Sequence, residues 1–189
     1  LQMNDIVGED GTKGNFVVSI VPSSENELAN RLLTGAKVED MGSVVLYTYA
    51  TQKVTTDFSD LEDVSGGVKF DKKNGLVRGD AKPGTMFTYK LDTVYPFQTL
   101  RVQAKQTGNK ENQVRLEYSF DKNSWKDVAS VQDKGEPRMF DDVISAASEG
   151  SGSVVYFRVS YSGEKDKKDT FGLDSFRVTA LLNEPARLP

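Results

Sequence analysis

The chain has 189 residues, a formal net charge of −4, and neither cysteine nor histidine. The lack of cysteine excludes disulfides and thiolate catalysis, and the lack of histidine excludes the Ser-His-Asp triad and nearly all protein zinc sites. Acidic and basic residues are mixed along the chain with no basic stripe, which argues against nucleic acid as a partner. No apolar run approaches the ~20 residues that a membrane-spanning helix needs, so no membrane insertion is expected.

Residues 1–52 are predicted to form an N-terminal arm with strands and a short helix. The segment FVVSIV at 16–21 predicts a strand, and ELANRLLTG at 27–35 predicts a helix capped by Ser24. A further strand is expected in SVVLYTYAT at 43–51, where the aromatic residues at 47 and 49 share one face and are interpreted as buried. This arm belongs either to the sandwich that follows or to a preceding domain, and we favour the first interpretation.

The rest of the chain reads as a series of short strands, with period-two alternation most regular in QVRLEYSF at 113–120. There Val114, Leu116, Tyr118 and Phe120 fall on one side and polar residues on the other, which is typical of a half-buried strand. Because no βαβ rhythm is present, we predict an all-β fold, an antiparallel β-sandwich over 53–182 with one short N-terminal helix, followed by a tail at 183–189. The predicted strands lie in 54–58, 68–70, 76–78, 85–92, 99–106, 113–120, the segment that begins at Trp125, 138–144, 153–163 and 171–182.

Three motifs resemble a known family. EYSFDKNSWKDV at 117–128, YFRV at 156–159 and GLDSFRV at 172–178 are similar to the hairpin and closing strands of galactose-binding-like jelly-roll carbohydrate-binding modules of secreted bacterial glycoside hydrolases and lyases. The similarity covers roughly residues 55–182. It implies a jelly-roll sandwich that binds a polysaccharide or glycan without catalysis. It also implies a secreted or cell-surface location and tethering to further domains of a larger protein.

The resemblance also implies a structural calcium ion near one edge of the sandwich. Asp174 stands where the last-strand ligand of such modules would be, and Asp71 would contribute from a loop. The first-strand ligand is expected among the acidic residues of TTDFSDLED, with Asp60 preferred over Asp57 and Glu62. Calcium takes several oxygen ligands from distant segments, which suits this set. In the alternative interpretation, Asp174 caps a strand or pairs with Arg177 or a neighbouring lysine.

A ligand-binding shelf is predicted from the outward positions of three strands. If these strands share one sheet, their polar side chains would lie side by side and offer planar donors to sugar hydroxyls or acidic groups. The predicted ligand-binding residues are Arg101, Gln103, Arg115, Tyr156 and Arg158, with Gln113 beside them. The same pattern also fits an ordinary solvated sheet face. A second possible site comprises the loops at 95–97, 107–112 and 163–170.

Trp125, the one tryptophan, is interpreted as a core residue, because the hairpin of the resembled family places it inward. No alternating run of carboxylates predicts a hydrolytic cleft, and the histidine strand of jelly-roll lyases has no counterpart, so we expect no enzymatic activity. The alternative function is a structural or adhesive spacer in a multi-domain surface protein. A binder should present an exposed aromatic side chain beside convergent donors, whereas a spacer should carry evenly scattered charges.

Overall fold

The computed structural model describes residues 36–40, 45–50, 61–71, 76–93, 95–107, 114–133, 136–148, 152–163 and 170–182. The described residues form thirteen β-strands and a short 3-10 helix, Ala146–Ser148. In chain order the strands are β1 (Ala36–Asp40), β2 (Val45–Ala50), β3 (Leu61–Val64), β4 (Val68–Asp71), β5 (Leu76–Asp80), β6 (Met86–Asp92), β7 (Phe97–Gln106), β8 (Val114–Ser119), β9 (Lys126–Asp127), β10 (Ser130–Val131), β11 (Met139–Ser145), β12 (Val154–Tyr161) and β13 (Thr170–Leu182).

The strands form two antiparallel sheets. The first sheet has the order β1-β2-β13-β7-β11-β10, and the β4–β5 hairpin joins it where β5 pairs with the start of β13. The second sheet has the order β3-β6-β12-β8-β9. The prediction of an all-β antiparallel sandwich is therefore confirmed.

An aromatic core lies between the two sheets. Phe176 of β13 stacks on Tyr89 of β6, with ring centroids 4.8 Å apart, and it meets Phe157 of β12 edge-on at 5.3 Å. Side chains of a strand alternate between faces, so the inward residues of both sheets interdigitate here. The core therefore fixes which side chains of β8 and β12 point outward, and the candidate site is built from those.

The predicted strand at 43–51 corresponds to β2, which lies between β1 and β13 in the first sheet. Tyr47 and Tyr49 are fully buried, as expected. The strands β1 and β2 are thus part of the sandwich. The predicted strand at 16–21, the predicted helix at 27–35 and the predicted tail at 183–189 lie outside the described residues.

Candidate functional site

The turn that leads from β8 to β9 is organised by the carboxylate of Asp121. Its Oδ1 accepts hydrogen bonds from the backbone N–H groups of Asn123 at 2.8 Å and Ser124 at 2.7 Å, and from the Ser119 hydroxyl at 2.9 Å. Hydrogen bonds from the Ser124 and Asn123 backbone are the main reason that the pKa of Asp121 is lowered to about 2. The sequence forms this turn locally, because an aspartate readily accepts from N–H groups a few residues ahead.

Lys122 connects the turn to the rest of the second sheet. Its φ of 62° lies in the left-handed region, and its backbone carbonyl accepts a hydrogen bond from the Trp125 indole N–H at 2.9 Å. Its ammonium group lies 3.0 Å from Glu62 and 3.2 Å from Asp63 on β3. The hydrogen bond to Glu62 is the first cause of the raised pKa of Lys122. The ammonium also lies 4.9 Å from the ring centroid of Tyr156.

Trp125 lies on the outer face of the second sheet, so its predicted burial in the core is wrong. Its indole is half-buried, and the Arg158 guanidinium carbon lies 4.0 Å from its ring centroid, a cation–π geometry. The physical reason is strand parity: Val128 is buried, so positions 125 and 127 of the same segment point away from the core. That parity was readable from the sequence, since WKDV places the charged Asp127 two residues after the tryptophan.

Arg158 and Arg115 both contact Glu117, which is only 3% exposed although it points outward from β8. The Arg158 Nε and Nη2 groups each lie 2.9 Å from one Glu117 oxygen, and Arg115 Nη1 lies 3.4 Å from the other. A buried carboxylate needs such partners, because an isolated charge is costly to desolvate. We call the set Arg115, Glu117, Trp125, Tyr156 and Arg158 the arginine–aromatic face.

Arg115 also forms a bidentate pair with Asp127 on β9. Its Nε and Nη2 groups donate to the two carboxylate oxygens at 2.6 and 3.0 Å. The pKa of Arg115 is raised and the pKa of Asp127 is lowered, and the hydrogen bonds between the two side chains are the leading cause of each shift. Both side chains remain more than half exposed, at 51% and 61%. This pair therefore keeps donor and acceptor atoms at the surface.

An open cleft of about 400 Å³ adjoins this pair at the edge of the sandwich. We call it the edge cleft. Its volume falls within the ~300–1,000 Å³ typical of small-ligand sites. The residues that line it include Arg115, Asp127, Ser130, Arg138, Phe140 and Ser162. Among the described residues that line it, Asp127 carries the one carboxylate.

The single shelf predicted from three strands is divided between the two sheets. Arg115, Tyr156 and Arg158 lie together on the second sheet, but Arg101 and Gln103 are on β7 of the first. The condition that the three strands share a sheet is therefore wrong, and position 113 lies outside the described residues. Alternation gives the face within a strand but not the sheet to which the strand belongs.

Arg101 and Gln103 have their own partner on the first sheet. Arg101 donates to the two oxygens of Asp141 at 3.1 and 3.0 Å, and Gln103 reaches the same carboxylate at 3.4 Å. The hydrogen bond raises the pKa of Arg101 and lowers that of Asp141. This pair has the geometry of Arg115–Asp127, but it does not line the edge cleft.

The structure places two of the three predicted calcium ligands among the described residues. Asp174 lies on β13 and accepts hydrogen bonds from Arg78 at 2.9 Å and the Thr107 hydroxyl at 2.9 Å. Asp71 ends β4, and Asp60 lies outside the described residues. Within the described ranges, no group of three or more acidic side chains converges as a metal site would require. The alternative of an ion-paired Asp174 thus has a partner, which is Arg78 rather than Arg177.

The predicted loop site falls largely outside the described ranges. Tyr95 packs against the core and Phe97 is buried within it, whereas 108–113 and 164–169 are not described. Sequence reasoning missed Asp127 and Arg138 as members of the site: the pairing of β8 with β9 brings Asp127 to Arg115, and Arg138 reaches the edge cleft from the first sheet. Glu117 follows Arg115 by two residues on β8, so its position on the same face was predictable from alternation.

Over the described parts of the chain, no helix has the length and apolar character to cross a membrane. No protein-family model matches the chain, and no curated protein matches its sequence.

Proposed function

We propose that the chain is a non-catalytic carbohydrate-binding module, which binds a polysaccharide or glycan at the arginine–aromatic face and the adjoining edge cleft. The observation that carries the proposal is the position of Trp125, which lies outside the core and over Arg158. Arg158 contacts Glu117, and Glu117 in turn contacts Arg115, whose pair with Asp127 is half-exposed. This is the combination of aromatic surface and convergent polar atoms expected of a binder rather than a spacer.

The chemistry of these groups suits a sugar. An indole buries the apolar C–H face of a pyranose ring against its own face. Arg115 supplies planar N–H donors and Asp127 supplies carboxylate acceptors, which together match the hydroxyl groups around a sugar ring. Both side chains keep about half of their surface in solvent, so a ligand can reach them without breaking their mutual pair.

In this proposal Arg158 positions the aromatic surface, whereas the sequence predicts that it binds the ligand directly. It is only 25% exposed, its Nε and Nη2 groups are directed at Glu117, and its guanidinium carbon lies 4.0 Å from the Trp125 ring centroid. We therefore assign it to positioning the indole rather than to direct contact with the ligand. Tyr156, with Lys122 against its ring, extends the aromatic surface on the same strand.

The finer parts of the proposal follow from the sequence motifs. We propose that the sandwich is a jelly roll of galactose-binding-like type, secreted or displayed on a cell surface and tethered to further domains. A calcium ion near Asp174, with Asp60 and Asp71, remains part of the proposal. A calcium ion bound there would compete with Arg78 for the Asp174 carboxylate, since the two now pair at 2.9 Å.

The test is a screen of the folded protein against a broad glycan and polysaccharide array, once with calcium and once with EDTA. We expect selective binding to a carbohydrate, weakened about tenfold or more by Trp125→Ala, since stacking on an aromatic ring and its associated contacts contribute ~1–3 kcal/mol. Val143→Ala is the matched control, because Val143 is 65% exposed on the first sheet. Loss of signal in EDTA would support the calcium site.

Two outcomes would contradict the proposal. Silence on the whole array, from protein whose near-ultraviolet circular dichroism shows a fixed tertiary structure, would favour the spacer function. Binding that Trp125→Ala and Val143→Ala affect equally would remove the site from the arginine–aromatic face.

A further inference from the structure

The charged side chains of the arginine–aromatic face are already paired, either with one another or with a neighbour. Glu117 lies 3.4 Å from Arg115 and 2.9 Å from Arg158. Arg115 also donates to both oxygens of Asp127, at 2.6 and 3.0 Å. Over the described residues, this face therefore presents ion pairs rather than an isolated charge to a ligand.

The charges at the two borders of the face are satisfied locally as well. Towards β3, the Lys122 ammonium contacts two carboxylates, at 3.0 and 3.2 Å. At the edge cleft, hydrogen bonds from Arg115 are the first cause of the lowered pKa of Asp127, and the positive charge of Arg138 acts in the same direction. The Asp142 carboxylate beside the cleft accepts from two backbone N–H groups, at 2.9 and 2.8 Å.

A charged ligand would have to compete with these pairs. An anion that binds Arg115 comes into contact with Asp127 and Glu117, and like charges brought together at an interface repel each other. A cation that binds Asp127 meets Arg115 in the same way. The formal net charge of the chain, −4, also opposes the long-range attraction of a polyanion.

An uncharged hydroxyl group can bind here without breaking any pair. A guanidinium carries more N–H donors, and a carboxylate more acceptor positions, than one bidentate pair uses. Arg115 and Asp127 remain 51% and 61% exposed, so their spare donors and acceptors reach the solvent side by side. Hydroxyl groups on neighbouring carbons of a sugar ring both donate and accept, and they match this arrangement.

We infer that the arginine–aromatic face takes an uncharged, hydroxyl-rich polysaccharide and discriminates against acidic and amino-sugar polymers. This inference rests on the proposed carbohydrate binding and names its ligand class. One hydroxyl accepts from Arg115, a neighbouring hydroxyl of the same sugar donates to Asp127, and the ring lies against Trp125. The ion pairs supply hydrogen-bonding atoms, and their mutual pairing removes the net attraction for a charged ligand.

The first test compares uncharged with charged polysaccharides. Dextran, galactomannan and xyloglucan are the uncharged probes, and dextran sulfate, polygalacturonate and chitosan are the charged ones, each titrated calorimetrically at mildly acidic pH. We expect the tightest binding from an uncharged probe, with an affinity that changes less than about twofold between low and moderate salt, because the ligand makes no ionic contact to be screened. Tightest binding of a charged probe, weakened as salt rises, would overturn the inference.

The second test opens one ion pair and asks whether the face then takes an anion. Asp127→Asn deprives Arg115 of its bidentate carboxylate, and we expect this variant to bind dextran sulfate at least about tenfold more tightly than the parent chain, since hydrogen bonds between charged groups are the strong ones. Asp133→Asn is the matched control. It removes the same charge from an exposed residue without opening a pair of the face, and we expect no comparable gain.

Two results of the variant test would contradict the inference. Equal gains in Asp127→Asn and Asp133→Asn would mean that overall charge, not pairing on the face, excludes anions. No gain in Asp127→Asn, from protein shown to be folded by circular dichroism, would mean that the Arg115–Asp127 pair does not set the ligand class.

The outcomes for ligand class and for function are distinct. Binding of a charged probe alone, weakened by Trp125→Ala, would overturn this inference and leave carbohydrate binding at the face in place. Binding of an uncharged probe that Trp125→Ala leaves unchanged would move the ligand elsewhere and would overturn both. Failure of all six probes would contradict the inference, and the array then decides separately whether the protein binds carbohydrate.

Discussion

At the scale of single residues, Glu117 is the clearest case of a polar group whose burial demands partners. It points away from the core and yet is 3% exposed, because Arg158, Arg115 and the indole stacked on Arg158 lie over it. Removal of one partner of a buried ion pair leaves the other charge uncompensated, and for fully buried pairs this costs ~3–5 kcal/mol. Arg158 is a quarter exposed, so solvent reduces the cost.

We therefore predict that Arg158→Met lowers the free energy of unfolding by about 2 kcal/mol, measured by urea denaturation. Arg101→Met is the matched control: it breaks a bidentate pair whose side chains are 56% and 50% exposed, and we expect a much smaller loss of stability, because an ion pair in solvent contributes little. The double variant Glu117→Gln/Arg158→Met should recover part of the loss. Equal destabilisation in the two single variants would show that Glu117 is effectively solvated.

The Asp121 turn gives stability that depends on pH. Its folded pKa of about 2 lies below the ordinary value of 3.8, so its contribution is fully present above pH ~4 and is lost as pH falls through 2. Asp121→Ala should therefore lower Tm at pH 7, and the difference from the parent chain should shrink steadily toward pH 2. Thermal unfolding followed by circular dichroism measures this.

Asp133→Ala provides the control for that experiment, because Asp133 is exposed and its backbone carbonyl, rather than its carboxylate, accepts from Glu136. We expect no comparable pH-dependent difference in Tm for this variant. A constant Tm difference for Asp121→Ala between pH 7 and pH 2 would mean that the turn does not depend on the ionised carboxylate.

At the scale of elements, the period-two alternation of apolar residues predicts where the strands lie but not which strands pair with one another. QVRLEYSF was predicted at 113–120, and β8 runs from Val114 to Ser119 with Val114 and Leu116 buried. The same pattern in TLRVQAKQ gave the strand β7 but not its place in the first sheet, between β13 and β11. Sheet membership depends on contacts between segments far apart in sequence, which no local pattern encodes.

The strand β13 illustrates a second limit, which is a change of parity within one strand. Its pairing with β7 shifts register between Leu173 and Ser175, so Asp174 and Ser175 are both exposed before Phe176 turns back into the core. Such a bulge adds one residue to one strand. Strict alternation from Leu173 would have placed Phe176 outward, and it could not have predicted that Asp174 meets Arg78.

At the scale of the whole molecule, the sandwich includes β1 and β2, which precede the start at residue 53 that the sequence predicted for it. β2 is the neighbour of β13, and Tyr49 lies 5.9 Å from Phe176 between ring centroids. The resemblance covered only 55–182 because the matching motifs lie there. The core itself draws on aromatic side chains that precede that range.

We accordingly predict that the fragment 53–189, which lacks β1 and β2, loses cooperative thermal unfolding or melts at least about 10 °C lower. Each buried large side chain removed from a core costs ~3–5 kcal/mol, which shifts Tm by several degrees per kcal/mol in a domain of this size. Calorimetry and size-exclusion chromatography measure the outcome. Tyr49→Ala in the full chain removes one buried side chain but keeps β2 paired with β13. Its Tm therefore separates the effect of lost core packing from the effect of leaving the edge of β13 unpaired in the fragment. An unchanged melting profile for the fragment would show that β1 and β2 are dispensable.

The location of Trp125 also gives the protein a built-in optical probe. The chain has a single tryptophan, and that residue lies half-buried beside a guanidinium group on the outer face rather than between the sheets. Its fluorescence therefore reports almost exclusively on the arginine–aromatic face. A sugar that covers the indole should shift its emission to shorter wavelength, so binding to the unlabelled protein can be followed by titration in a cuvette, free of signals from any other indole.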